Sequence, residues 1–285
     1  MYRARSLINP LMSWRTASSR SRLLATQVKM HSMPPRHQPS RTWLKTGLFL
    51  TGGLTFLAIQ SNQQVHAEGP VYPGAVEDPS SHLLFPVYLD TNKDWKRLIG
   101  LGVRQVSFLH INVYVLGLYM RSEDIGELQS DPKWKDFDKA KFLENEELAL
   151  SLLHQPIDIS IRVVPVRNTN AQHLRDGFTK ALIQRMRSQK LSEAEEQKIQ
   201  QAIKDFNTKF MSAKIKKDTE LVFTKTRKNE LKMEYQGEDM GTVADPWVAV
   251  NFIMTYLSPD APASEDALQD IATGFDNLMH PKSTA

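Results

Sequence analysis

The chain reads as an α+β fold with a largely antiparallel sheet, and three observations carry that reading. β-branched and aromatic runs come first, in LLFPVYLD, LIGLGVRQVSFL and INVYVLGLYM, and a clean alternation follows in IDISIRVVPVR. Two segments of helical period, each opened by a capping residue, stand in the middle. A strand pair and two more helices, the first of them capped, close the chain. Strands group with strands and helices with helices, without the strict strand–helix alternation of a parallel sheet.

Each element follows from its residues. In IDISIRVVPVR, Ile157, Ile159 and Ile161 fall on one face of a strand. The mixed, charged stretch 131–155 suits short helices. Asn170 or Thr169 caps a helix that carries Leu174, Phe178, Ala181 or Leu182, and Arg185 at helical spacing. Ser192 and Glu195 form the Ser-x-x-Glu pattern of a capping box at the start of the next. TELVFTKTR and ELKMEYQG make a hairpin turning at Lys228 and Asn229. Asp245 caps the penultimate helix, with Pro246 in its first turn, and SEDALQDIATGFDNLM is the last.

Ahead of this body the composition changes. The first acidic residue is Glu68; residues 1–67 hold nine of the 36 basic residues and none of the 32 acidic ones. The remainder therefore has 27 basic against 32 acidic residues, so the basic pI belongs to the leader. A mildly acidic body argues against nucleic acid as the partner. Arg- and Ser-rich sequence without acids is the composition of a mitochondrial presequence, assigned to 1–42. Residues 46–59 carry no charge and follow Arg41, Trp43 and Lys45, which gives a single-pass inner-membrane anchor over 43–60. The second reading of that stretch is the latter half of a bipartite leader, cut near His66-Ala67-Glu68. With the basic flank in the matrix, the globular part faces the intermembrane space. A linker over 61–81 leads to one domain, 82–285.

Several chemistries are excluded. Cysteine is absent, which removes disulfides, zinc ribbons and thiol catalysis. Gly100-Leu101-Gly102 lacks the third glycine of a dinucleotide loop and does not open a helix, and the metalloprotease and serine-elbow motifs are missing. His110, His154 and His173 lie in the body without metal-ligand spacing.

One residue stands out. Arg104 sits near the start of the apolar run GLGVRQVSFLHINVYVLGLYM, where a guanidinium needs an anionic or strongly polar partner. If the segment stays extended from Arg104 to Tyr114, then Arg104, His110 and Tyr114 share a face among Val106, Phe108 and Leu116. That is a largely apolar cavity with a few polar anchors. The alternative is an edge arginine paired with a carboxylate such as Glu147 or Asp158.

The run Gly102-Val103-Arg104, Ser107-Phe108-Leu109, Val113-Tyr114 and Gly117-Leu118-Tyr119 resembles the chalcone isomerase family signature. The likeness extends through RVVPVRNTNAQHLRDGFTKAL to PWVAVNFIMTYLSPDAPAS, about 85 to 280, and is greatest to a fungal mitochondrial branch. The resemblance implies an open-faced β-sandwich, a large antiparallel sheet under a helical layer with the ligand cleft between. In the plant isomerases the matching arginine stabilises the oxyanions of an intramolecular ring closure. The other plant site positions fall on Tyr114, His173, Lys180 and near Asp245 or Pro246, which departs from the enzyme pattern. The resemblance therefore implies a non-enzymatic protein binding a hydrophobic anion through Arg104 and Tyr114, with His173 and Lys180 at the site. Haem b is the preferred ligand, with iron on His110 or His173 and a propionate on Arg104. A fatty acid, its carboxylate on the arginine, is the alternative, and chalcone-type lyase or isomerase action with Arg104 as the catalytic residue is the third reading.

Overall fold

A computed structural model describes residues 74–106 and 110–281 of the chain. The segments expected as presequence (1–42) and anchor (43–60) and most of the expected linker lie outside the described residues, as do Ser107, Phe108 and Leu109. No helix among the described residues is long and apolar enough to cross a membrane.

The described chain opens with a short hairpin: β1 (Ala75–Glu77) falls inside the segment expected to be linker and pairs with β2 (Leu84–Pro86) at the start of the expected domain. Seven strands then form one antiparallel sheet. They are β3 (Tyr88–Thr91), β4 (Asp94–Val106), β5 (Ile111–Arg121), β6 (Ile159–Pro165), β9 (Leu221–Lys225), β10 (Leu231–Tyr235) and β11 (Glu238–Val243). Their spatial order is β11-β10-β9-β6-β5-β4-β3. A two-residue pair, β7 (Thr169–Asn170) with β8 (Lys214–Ile215), stands apart.

Helices gather on one face. Four short ones join β5 to β6: α1 (Ser122–Ser130), α2 (Pro132–Lys135), α3 (Lys139–Glu144) and α4 (Glu147–Leu153). The longer α5 (Ala171–Ser188), α6 (Glu193–Thr208), α7 (Pro246–Leu257) and α8 (Glu265–Met279) complete the layer. The expected caps are in place. Asn170 accepts from Gln172 N–H, Ser192 and Glu195 form the reciprocal capping box, and Asp245 accepts from Val248 N–H at 3.0 Å. Asp245 is therefore engaged as a cap.

Strand alternation gives the sheet two apolar faces. Leu116, Leu118, Met120, Ile159, Ile161 and Phe223 meet the helices, while Leu101, Val103, Val115, Tyr119, Val164 and Val222 point the other way. The second face is not left bare, because the sheet curls. Thr91 on edge strand β3 hydrogen-bonds Glu234 on β10, five strands away in sheet order, and Phe85 and Leu83 of the β1–β2 hairpin pack into the concavity.

Candidate functional site

β4 and β5 form a hairpin, and Arg104 stands directly opposite Tyr114 across it. The extended run expected from Arg104 to Tyr114 is thus broken at His110. That residue lies outside the strands with φ +49°, exposed, 3.0 Å from the Gln105 side chain. Arg104 and Tyr114 still share a face, since directly opposed residues of an antiparallel pair point the same way.

Two glycines of β4 let α8 seat beside the arginine. A Cβ on Gly102 would stand 2.3 Å from Ala267 N, and one on Gly100 would stand 2.6 Å from the Ile271 backbone. Ser264 caps α8, accepting from Ala267 N–H at 3.1 Å while its hydroxyl donates to the Val103 carbonyl at 2.6 Å. The preceding carbonyl, Ala263 O, accepts from Arg104 Nη1. Arg104 is half-buried and makes no salt bridge among the described residues. Neither carboxylate offered as an edge partner reaches it; Asp158 instead accepts from Asn92 and from Arg227 N–H.

The core beside Arg104 is aromatic. Tyr114 and Tyr256 are buried with their hydroxyls 3.0 Å apart, and the Tyr114 ring lies 5.9 Å from Phe178. Burial raises the Tyr114 phenol, and burial with the neighbouring phenol raises Tyr256 well above the ordinary value, so both remain neutral. Phe223 and Phe252, with ring centres 4.5 Å apart, continue this layer.

A cleft of about 350 Å³ opens over Arg104 between α5 and the α7–α8 connection. α5 presents Gly177, Lys180, Ala181, Gln184, Arg185 and Ser188, an i, i+3, i+4, i+7 stripe; the connection presents Ser258 and Asp260 to Ala263. A Cβ added at Gly177 would meet nothing within 4 Å, so this wall is open. Arg185 is already engaged: it grips Glu146 with two bonds, 2.9 and 3.1 Å, and donates from Nε to Asn251 at 2.9 Å. The Glu146 carboxyl is held below its ordinary value chiefly by that arginine, with a further bond from Ser258. Arg104 and Lys180 are left as the cleft's cations without a carboxylate partner among the described residues.

The structure thus brings Arg104 and Lys180 to one cleft, while Tyr114 stands beside Arg104 on the sheet but is buried and is not among the residues lining the cleft. His173 does not join them. It is exposed in the first turn of α5, and no histidine among the described residues lines the cleft. Haem iron requires an axial ligand. The described lining supplies no imidazole, thiolate or thioether, and Tyr114 is turned into its bond with Tyr256. These residues do not fit haem. No group of three or more metal-ligating side chains is gathered among the described residues.

Sequence reasoning missed Glu146, Tyr256 and the Ala263 carbonyl. For Arg185 a signal was present: it recurs on the same helical face as Leu174, Phe178 and Leu182, where an inward cation requires a buried partner.

Residues 94–272 match the family model described as chalcone isomerase like. A protein of Vanderwaltozyma polyspora named altered inheritance of mitochondria protein 18, mitochondrial, is 30% identical over 193 residues, 59% of this chain and 60% of that one. The protein of the same name from Lachancea thermotolerans is 26% identical over 283 residues, covering 87% of this chain and 91% of its own. Among solved structures, an Arabidopsis thaliana fatty-acid binding protein superposes with a TM-score of 0.58 at 22% identity. It covers 72% of this chain and 99% of that protein, and at this identity the likeness speaks for the fold alone. Fold, motif and family model agree, and the chain belongs to the chalcone isomerase like family.

Proposed function

We propose that this is a mitochondrial, non-catalytic binding protein for a small carboxylate with an apolar tail, of the fatty-acid class. The carrying observation is Arg104, a half-buried guanidinium at a cleft wall whose described partner is a neutral carbonyl. Such a cation retains donors for a charge-assisted, two-point grip on a carboxylate. Lys180 adds a second positive charge at the mouth, and Ala181, Ala261, Pro262 and Ala263 offer a small apolar track for the tail. A volume of about 350 Å³ is at the low end for ligand pockets, which suits a short or medium acyl chain. The Arabidopsis structure, whose protein is named for binding fatty acid, supports the same class.

The acid-free leader and the names of the fungal relatives support a mitochondrial address. The uncharged stretch within 43–60 supports a single-pass tether to the inner membrane, with the body in the intermembrane space. The non-catalytic reading rests on Tyr114, whose hydroxyl is committed to Tyr256, and on the absence of any histidine from the described cleft lining. The test is a calorimetric titration of residues 70–285 with decanoate, methyl decanoate and haemin. Saturable heat with the acid and none with the ester supports the reading. Saturation by haemin alone, or equal binding of acid and ester, overturns it.

A further inference from the structure

A second charged surface shares no residue with the Arg104 cleft. Strand alternation in β8 buries Ile215 and sends Lys214 and Lys216 outward, and Lys217 is exposed as well. The loop after β6 is tied to this segment: Lys217 N–H donates to Asn168 Oδ1 at 2.8 Å and Asp218 N–H to Pro165 O at 3.2 Å. Those ties bring exposed Arg167 into the same surface. None of the four cations has a salt-bridge partner among the described residues. Of the nearby acids, Asp218 stands in the segment itself and lines the neighbouring groove, Glu220 is taken by Arg162 at 2.6 Å, and Glu77 is bonded to His82 at 2.5 Å. This is a local excess of positive charge on a body whose acidic residues outnumber its basic ones.

Next to it lies a groove of about 360 Å³, where Lys217, Arg162 and His82 meet Val164 and Leu84. Leu84 is 61% exposed, the most open of the large apolar side chains described. Cations beside an uncovered leucine match the headgroup boundary of a bilayer, where the charges meet lipid phosphate and the apolar side chain dips below it. We propose that this face, Arg167, Lys214, Lys216 and Lys217 with the adjoining groove that exposes Leu84, docks the domain on an anionic membrane surface.

The position of the chain's entry favours a membrane over other acidic partners. Gly74 O accepts from Val87 N–H, so the described chain begins on the hairpin whose turn lines the groove. The apolar run ends at Ile59, and residues 60–73 reach at most about 50 Å when fully extended. This step rests on the tether proposed above. A domain held that near a bilayer meets it at high effective concentration, so a weak, charge-driven site is sufficient.

Residues 70–285 contain every strand of the sheet and both hydrophobic clusters, and so serve for a test without the tether. The experiment is sedimentation with vesicles of phosphatidylcholine alone and of equimolar phosphatidylcholine and phosphatidylglycerol. Binding is expected only to the anionic vesicles and falls as salt is raised. The combined Lys214→Glu, Lys216→Glu, Lys217→Glu variant should lower the partition coefficient by about 100-fold or more, and Leu84→Ser should weaken it without changing the salt dependence. A matched far-UV spectrum and melting temperature show that these exposed substitutions leave the fold intact. Equal binding to neutral vesicles, or an unchanged triple variant, overturns the proposal. Binding of polyglutamate without vesicle binding overturns it in favour of an acidic polypeptide partner. Alkaline extraction of full-length chain from mitochondrial membranes tests the tether separately, so failure of one is distinguishable from failure of the other.

Discussion

Replacing Lys225 with methionine tests how the fold tolerates its buried charges. The Lys225 side chain is fully enclosed, and Nζ donates to the carbonyls of Gln155 and Ile157 at 2.6 and 3.2 Å. Burial pushes its ammonium down to about 8 from an ordinary 10.5, partly offset by Asp158 and Asp124. Below pH 8 both folded and unfolded chains hold the proton, and the folded state bears the desolvation. Between pH 8 and 10.5 the folded chain releases it while the unfolded chain keeps it. Stability therefore rises with pH across that window, by at most about 3 kcal/mol. Lys96, also fully buried and lowered by desolvation, adds with the same sign. The raised phenols of Tyr114 and Tyr256 oppose it only above their ordinary value of 10. Urea unfolding followed by tryptophan fluorescence should show the midpoint climbing from pH 8 to 10, and Lys225→Met should remove most of the climb. A flat or falling wild-type midpoint, or a methionine variant with the full climb, would refute the reasoning.

Three further outcomes follow from the same structure. Gly102→Ala drives a methyl to within 2.3 Å of the Ala267 backbone, so it should cost about 1–3 kcal/mol or more in thermal unfolding and loosen α8 beside Arg104. Glu146→Gln removes a carboxylate gripped by Arg185 and should cost about 1 kcal/mol at neutral pH. Glu146 titrates below its ordinary value, so its stabilisation is present above 4.5 and is lost as pH falls through the lower folded value. The variant and wild type should therefore converge in acid unfolding. In a double-mutant cycle, Tyr114→Phe and Tyr256→Phe should couple by about 1 kcal/mol, because their hydroxyls bond each other in a buried setting.

Local chemistry made most of the fold legible. Caps such as Asn170, Ser192 and Asp245 act within three residues of themselves, and strand alternation needs no distant partner. β11 escaped because Glu238–Val243 is half-exposed and holds Gly241 at φ +112°, leaving no apolar alternation to read. β1 hid in a Pro- and Gly-containing stretch whose pairing with β2 is set by packing. The site was legible only in part. Arg104 and Tyr114 do share a face, but by pairing across a hairpin, and the turn that pairs them carries His110 out to solvent. The Ala263 carbonyl lies 159 residues from Arg104 and Glu146 lies 39 from Arg185. Separations of that kind are fixed by the folded sheet and helices, and no periodicity records them. Lysines in strands ordinarily face water; Lys96 and Lys225 are buried because the sheet curls and its helices close over it.

The central claim is that Arg104 anchors a carboxylate. Calorimetric titration of decanoate into the 70–285 protein and its Arg104→Ala variant tests it most directly, with Lys180→Ala as the companion at the cleft mouth. Loss of a buried, charge-assisted contact should weaken binding by about 1.5–3 kcal/mol, roughly tenfold to hundredfold in Kd, with a smaller loss for Lys180→Ala. Unchanged affinity in Arg104→Ala, with the variant folded, would contradict the account.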